Sequence, residues 1–264
     1  MSPRRITLLT DYGPGGEHVG ALHARLAAGC PDADRIDLAH DLAPGDVRWG
    51  GVVLARLAPL LPDAVHLAVI DPGVGTDRLG VAVATEGGGA LVGPDNGLLG
   101  LAADRMGAQA AVSLPVPHEA PATFHGRDVF APAAARLAAG EPLSELGEPL
   151  DPAVIIGPAL PAAETADGRI AATALGWDRF GNVTLLAAAE ELAASGLAPG
   201  EAVAVTTDGG TFAAAVARTF ADVPPGEVLV FVDSHGYLAV AVNGGAAWDE
   251  LGLRPDARVA IERR

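Results

Sequence analysis

The chain has 264 residues, of which 50% are apolar and 19% are charged, and its formal net charge is −16. This composition excludes a disordered chain, and the negative charge disfavours nucleic acids and anionic membrane surfaces as partners because both would repel it. The length allows one large domain or two modest ones, and we expect no membrane span because no run of about 18 apolar residues is present.

The first part of the chain alternates between apolar runs typical of buried strands and amphipathic segments typical of helices. Val19, Leu22 and Leu26 fall on one face of the first predicted helix, and Asp46 is the predicted cap of the second. The order of these elements predicts a parallel sheet with right-handed crossovers. The predicted elements are, in chain order, the segments RITLLT, EHVGALHARLAAGC, RIDLAH, GDVRWGGVVLARLAPLL, AVHLAVID, LGVAVATE, ALVGPDNG and DVFAPAAARLAAG.

The composition changes after Gly140, and this change predicts a second domain. Five prolines lie in the segment from Pro142 to Pro161, which are too many for a helix and unsuited to a central strand. Short apolar runs follow, separated by Gly, Pro, Asp and Asn, as is typical of a small barrel or sandwich. We therefore predict an α/β protein with three parts: an N-terminal α/β layer domain with a mostly parallel sheet (1–141), a proline-rich linker (142–168) and a smaller C-terminal β-barrel domain (169–264).

The single cysteine, Cys30, excludes an intramolecular disulfide. A reducing, cytoplasmic compartment is the simplest expectation for such a chain. We predict that Cys30 packs as a small hydrophobic residue.

Polar residues follow the predicted strands of the first domain. In an open parallel sheet the ligand crevice lies beyond the carboxyl ends of the strands, so this clustering favours a binding site there. Taken singly, each residue also has a structural explanation as a turn residue, a buried histidine or a charged pair at a helix start. The polar residues at this edge are Asp11, His40, Asp41, Asp71, Arg78, Asp95 and Asn96, together with His125, Arg127 and Asp128 before a helix.

The segment DPGVGTDR places Gly73 and Gly75 between Asp71 and Arg78. It lacks the third glycine of a dinucleotide fingerprint and the Lys-Ser/Thr ending of a P-loop, so a phosphate-binding loop is disfavoured. We predict that the glycines let the backbone turn and bring Arg78 back toward Asp71. The motifs of zinc and serine hydrolases are also missing.

Several segments in order along nearly the whole chain resemble those of the S-adenosyl-L-methionine (SAM) hydroxide adenosyltransferases, relatives of the fluorinases and chlorinases. The segments are LLTDYG, DPGVGTDR, GPDNG, TFHGRDVFAPAAA, WDRFGNVTL and SHGYLAVAVNGGAA. The resemblance implies a homotrimer with its active site between subunits. It also implies hydrolysis of SAM to adenosine and L-methionine by in-line attack of water or hydroxide at the ribose C5′ carbon, with no cofactor or metal.

By the same resemblance, Asp71, Arg78 and His125 activate the water. Halogenating relatives carry tyrosine at the position of Asp71 and lack the HGRD sequence. They also have an extra loop, for which the short segment ATEGGGALVGPDNG leaves no room. The resemblance therefore implies hydroxide, and not halide, as the nucleophile. The chemistry agrees, because a sulfonium departs as a neutral thioether and needs no general acid. Arg78 would stabilise hydroxide character, while Asp71 would orient the water or take its proton.

The resemblance further implies a set of substrate contacts on both domains. These are Asp11 with the ribose hydroxyls, Asp178 with the methionine ammonium, Phe180 with the adenine ring, Asn182 with an adenine nitrogen, Ser234 with the methionine carboxylate and the backbone near Val242 with the adenine amino edge. Without the resemblance, the segment WDRFGN reads equally well as a tight turn with Phe180 in the core. Two positions depart from the family pattern: Gly45, where relatives often carry an aromatic residue, and Ala239, where they carry an acid.

Two other functions remain open from the sequence. One is a metal-dependent phosphoester hydrolase, whose carboxylate and histidine ligands would be Asp11, His40, Asp71 and His125. Activity that resists a chelator would exclude it. The other is a nucleoside-binding module without turnover, suggested by the departures at Gly45 and Ala239, and unhydrolysed substrate after long incubation would favour it.

Overall fold

The computed structural model describes residues 5–155, 157–158 and 160–264. The chain divides into two compact units, Met1–Ala159 and Leu160–Arg264. None of the helices in the described part of the chain is both long enough and apolar enough to cross a membrane.

The first unit contains a seven-stranded sheet with the strand order β2-β1-β3-β5-β4-β6-β7. Its strands are β1 (Arg5–Thr10), β2 (Asp34–Ala39), β3 (Val65–Val69), β4 (Gly80–Thr85), β5 (Ala90–Pro94), β6 (Ala108–Leu114) and β7 (Glu148–Leu150). The strands β2, β1 and β3 run parallel, as the alternating pattern predicts, β5 pairs parallel with β3, and the other three strands pair antiparallel. The carboxyl ends of the parallel strands therefore share one edge.

Helices cover both faces of this sheet because successive strand residues point to opposite sides. The helices are α1 (Glu17–Gly29), α2 (Val47–Leu57), α3 (Gly100–Met106) and α4 (Ala131–Ala138), the last preceded by a π-helical turn over Gly126–Phe130. On β1, Leu8 packs in a core cluster with Leu22 of α1, whereas Leu9 packs in a second cluster with Leu54 of α2.

Local predictions for these helices are confirmed. Val19, Leu22 and Leu26 are the buried residues of α1, and Cys30 is buried in the same core. The backbone N–H of Trp49 donates to Asp46 Oδ1 at 3.0 Å, which caps α2.

The second unit is a closed β-barrel, as predicted. Its strands are β8 (Glu164–Ala166), β9 (Arg169–Trp177), β10 (Val183–Ala188), β11 (Ala202–Thr207), β12 (Gly210–Val216), β13 (Val228–Val232), β14 (Tyr237–Val242) and β15 (Arg258–Arg263), with short helices α5 (Ala189–Ala194) and α6 (Ala247–Glu250). Pairing of β10 with β9 closes a ring of seven strands, and β8 extends from β9. Closure leaves few free backbone groups at strand edges.

The proline-rich segment contributes one short strand to each sheet. β7 carries Pro149 and lies at the edge of the first sheet, where a residue without an N–H group is tolerated. β8 pairs antiparallel with β9 of the barrel. Residues 156 and 159 of the predicted linker lie outside the described residues.

The buried histidine of β3 gives the fold a predicted sensitivity to acid. His66 is fully buried with Nδ1 2.8 Å from Thr7 Oγ1, and burial lowers its pKa from 6.5 to about 4. Between pH 6.5 and 4, His66 is protonated in the unfolded chain but remains neutral in the folded chain. The free energy of unfolding therefore decreases as the pH falls from about 6.5 toward 4. The loss attributable to His66 is about 3 kcal/mol.

Urea unfolding at pH 7 and at pH 4 measures this loss. The His66→Gln variant, which does not titrate there, is expected to lose less stability across the same range than the wild type. Equal losses in the two proteins would contradict this assignment.

Candidate active site

The loop after β3 carries two of the predicted catalytic residues. Asp71 follows the buried Ile70, and the backbone N–H of Val74 donates to the Asp71 carbonyl at 3.2 Å, which begins a turn. Gly75 has a φ of +80°, and a Cβ there would lie 2.8 Å from the carbonyl oxygen of Ala122. Glycine is therefore required at this position for the chain to turn back.

The turn brings the guanidinium of Arg78 against the carboxylate of Asp71. Arg78 Nε donates to Asp71 Oδ1 at 2.9 Å, and Nη2 donates to Oδ2, so the pair is bidentate. The side chains are only 9% and 6% exposed, respectively. The guanidinium carbon of Arg78 also lies 5.2 Å from the centroid of the Phe130 ring, where the aromatic face favours a cation.

His125 completes a contact chain with this pair. It directly precedes the π-helical turn, is 5% exposed, and its Nδ1 lies 2.9 Å from Arg78 Nη2. Arginine can only donate, so Nδ1 accepts and the ring hydrogen is on Nε2. Burial lowers the pKa of His125, the charge of Arg78 lowers it further, and the carboxylates of Asp71 and Asp128 act in the opposite direction. The imidazole is therefore neutral at pH 7.

A cavity of about 390 Å³ opens beside these groups. The lining residues are Asp11, Tyr12, Pro44, Gly45, Asp71, Pro72, Val74, Thr123, Phe124, His125 and Gly126. Burial raises the pKa of the Tyr12 phenol, and the charges of Asp11 and Asp71 add to this effect, so the hydroxyl remains protonated. Because a Cβ at Gly126 would lie 2.5 Å from the Tyr12 hydroxyl, glycine is needed for this phenol to pack there.

Asp11 lies at the cavity wall, after β1. Its Oδ2 accepts from the backbone N–H of Gly45 at 2.8 Å. Gly45 has a φ of +76°, a conformation that an aromatic residue rarely adopts. Glycine adopts this backbone conformation without strain.

Other polar residues at the same edge have structural partners instead of lining the cavity. The side-chain amide of Asn96 donates to the carbonyl of Ile70 at 2.9 Å and so supports the chain just before Asp71. Asp128 accepts from Arg127 at 2.7 Å and from Arg25 at 3.1 Å. Asp41 is exposed.

The fold does not assemble the alternative metal site suggested by the sequence. In the part of the chain that the structure describes, Asp11, His40, Asp71 and His125 do not form a group of ligand atoms within 4.8 Å of one another. His40 instead contacts Thr10 and Asp37. The carboxylate of Asp71 is engaged by Arg78.

In the second unit, the turn between β9 and β10 holds three predicted substrate contacts. Asp178 Oδ1 accepts from the backbone N–H groups of Phe180 at 2.9 Å and Asn182 at 3.0 Å, and Asn182 Nδ2 donates to Asp178 Oδ2 at 2.8 Å. The tight turn is therefore present, but the alternative with Phe180 in the core is wrong, because this ring is 74% exposed. An asparagine and an aspartate that brace each other hold the aromatic side chain at the surface.

The remaining predicted contacts lie around β14. Ser234 is exposed in the turn before this strand, where Asp233 Oδ1 accepts from the N–H groups of His235 and Tyr237 at 2.8 and 3.0 Å. Val242 is buried at the end of the strand. Ala239, the second departure from the family pattern, is also buried, with no carboxylate to offer a ligand.

Comparison with known proteins identifies the family. The sequence models of the SAM hydroxide adenosyltransferase N-terminal and C-terminal domains match residues 6–147 and 172–260. The chain belongs to this family.

Full-length relatives of the family agree with this membership. The chain is 46% identical over 261 residues to the (R)-S-adenosyl-L-methionine hydrolase of Salinispora arenicola, with 97% of each chain covered. It is 39% identical to the hydrolase of the same name from Thermus thermophilus, covering 98% of this chain and 99% of the relative. A fluorinase from an Actinoplanes species is 28% identical, covering 98% and 97%.

A solved structure supports the fold. An uncharacterized conserved protein from Thermotoga maritima superposes with a TM-score of 0.89 at 32% identity, covering 98% of this chain and all of the other. The resemblance stated from the sequence motifs is thus confirmed at the level of family and fold.

Proposed function

We propose that this protein is an enzyme that hydrolyses SAM to adenosine and L-methionine. The observation that carries the proposal is the contact chain of Asp71, Arg78 and His125, in which Asp71 and His125 line the cavity and Arg78 contacts both of them. The names of the relatives at 46% and 39% identity support the same reaction. Asp71 also separates this chain from halogenation, since the halogenating pattern has tyrosine at that position.

In the proposed reaction, a water oxygen attacks the ribose C5′ carbon in line with the departing sulfur. The new C–O bond forms as the C–S bond breaks, and the electron pair of that bond goes to the sulfur of methionine. Asp71 orients the water and takes its proton, while the positive charge of Arg78 stabilises the developing hydroxide. Holding the reacting atoms in line contributes on the order of 7 to 11 kcal/mol. The sulfonium is already activated, so the reaction needs no cofactor.

Neutral His125 accepts a hydrogen bond from Arg78 and so fixes the guanidinium between Asp71 and His125. Its Nε2 hydrogen is then available to a bound water or substrate oxygen. The substrate contacts proposed for the remaining residues follow the family pattern. They are Asp11 for the ribose, Asp178 for the ammonium, Phe180 and Asn182 for the adenine ring, Ser234 for the carboxylate and the backbone of Val242 for the adenine amino edge. We further propose a homotrimer with the active site between subunits and a cytoplasmic location.

Hydrolysis in ¹⁸O-water tests the reaction. We expect the label in the 5′ oxygen of adenosine, because the attacking atom is a solvent oxygen. Mass spectrometry of the product measures it. Unlabelled adenosine would exclude direct attack at C5′.

The pH dependence of hydrolysis tests the role of His125. Because the pKa of this imidazole is lowered below 6.5, the rate is expected to hold through neutral pH and to fall only in acid, below that value. Protonation removes the Nδ1 acceptor and sets a cation beside Arg78. Initial rates from pH 4.5 to 8 measure the profile, and in His125→Asn this inflection should be missing. A midpoint at or above 6.5 would contradict the assignment.

A further inference from the structure

A second cluster in the first unit has the donor set of a metal site, and the proposed reaction does not use it. His23 of α1, Asp37 of β2 and His40 after β2 each offer a ligand atom, and these atoms all lie within 4.8 Å of one another. The geometry points to a binding site for a divalent transition metal ion, with Zn²⁺ as the best match.

The distances within this cluster fit a metal ion. Asp37 Oδ1 lies 2.8 Å from His23 Nε2 and 3.2 Å from His40 Nε2. Ligand atoms about 2.0 to 2.1 Å from a tetrahedral zinc ion are separated by about 3.3 Å, so small movements of exposed side chains would suffice. His23 and Asp37 are the movable partners, since they are partly exposed.

The buried histidine of the cluster is poised as a ligand. His40 is 8% exposed, and its Nε2 has no hydrogen-bond partner among the described residues. Asp37 Oδ1 lies 3.2 Å from this Nε2, but the two groups are not aligned for a hydrogen bond. On the other side of the ring, Nδ1 lies 2.8 Å from Thr10 Oγ1. A ligating histidine commonly uses its second nitrogen in this way, which fixes the ring orientation and leaves Nε2 for the ion.

The ligand types select the class of metal. Two imidazoles and one carboxylate suit Zn²⁺ and similar transition metals, whereas Mg²⁺ and Ca²⁺ prefer oxygen ligands alone. Three protein ligands leave a fourth coordination position for water. The segment between His23 and Asp37 contains Cys30, but this residue is buried in the core and is not among the ligands.

The location of the cluster connects it to the cavity. The carbonyl of His40 accepts from the backbone N–H of Gly13 at 2.8 Å, and Thr10 Oγ1 accepts from the N–H of Tyr12 at 3.2 Å. A bound ion would therefore fasten α1 to the end of β2 and brace the segment that carries Asp11 and Tyr12. Its role would be structural, since no ligand of this cluster lines the cavity.

Isothermal titration of metal-free full-length protein with Zn²⁺ tests the site directly. We expect one zinc ion per chain at micromolar zinc. His23→Ala and Asp37→Asn are each expected to weaken binding about ten-fold or more, with circular dichroism showing that both variants remain folded. His118→Ala, which removes an exposed histidine outside the cluster, is the matched control and should bind as the wild type does.

Cobalt supplies a second readout that does not depend on activity. Co²⁺ in a tetrahedral or five-coordinate site absorbs visible light strongly, and this absorption should appear with the wild type and His118→Ala but not with His23→Ala. If the wild type fails to bind zinc, or if binding survives both the His23 and the Asp37 substitutions, the site is disproved.

Discussion

Replacing Asp71 with asparagine is expected to lower kcat for SAM hydrolysis by about a hundred- to ten-thousand-fold. The substitution keeps the size of the side chain but removes the group that takes the proton of the attacking water. It also removes the negative charge that holds Arg78 through two hydrogen bonds. Quantifying adenosine under single-turnover conditions measures the loss.

The matched control for this variant is Asp41→Asn. Asp41 follows β2 at the same edge of the sheet, but it is exposed and does not line the cavity. Its turnover should stay within a factor of about two of the wild type, a difference worth less than 0.5 kcal/mol. If Asp71→Asn retained more than a tenth of the wild-type rate while folded, Asp71 would not be the proton acceptor.

Replacing Arg78 with methionine is expected to destabilise the fold by about 3 to 5 kcal/mol as well as to inactivate the enzyme. The side chain of Asp71 is only 6% exposed, so removing its partner leaves a buried carboxylate without compensation. Methionine fills part of the space against Phe130 but cannot donate a hydrogen bond. Urea unfolding at pH 7 measures the change.

The double variant Asp71→Asn with Arg78→Met shows how much of the stability loss comes from the unpaired carboxylate and how much from lost packing of the arginine side chain. If the lone carboxylate causes the loss, adding the asparagine substitution should recover much of the stability, because the two residues are directly coupled. Both variants should remain inactive, since each lacks the proposed water-activating pair. A methionine variant as stable as the wild type would show that the ion pair contributes nothing to the fold.

Much of the architecture follows from local sequence pattern. RITLLT is β1, AVHLAVID contains β3, and the predicted buried face of α1 is the observed one. The pattern fails where alanine dominates: the strand β12, with the sequence GTFAAAV, was not predicted. Alanine favours helix over strand, and this segment is a strand because β11 and β13 pair with it on either side.

The candidate site was predictable to a similar degree. The position of Asp71 and Arg78 on one glycine-containing loop is readable from DPGVGTDR, whereas Tyr12 and Phe124 enter the cavity wall through contacts between distant segments. Their neighbours in sequence, Asp11 and His125, were the available signal. The alternative metal site that includes His40 is wrong, because the position of a histidine after a strand does not show which way its ring points.

The π-helical turn after His125 determines which side chains of this stretch face Arg78. His125 and Phe130 both contact Arg78, one through Nδ1 and the other through its ring face, although five positions separate them. A wider turn keeps positions i and i+5 on one side. In an ordinary α-helix, five steps of about 100° would place these two positions about 140° apart around the axis, so one of them would turn away from Arg78. Homologous chains that keep both contacts therefore need either this wider turn or one residue fewer in a regular α-helix, even where the intervening side chains change freely.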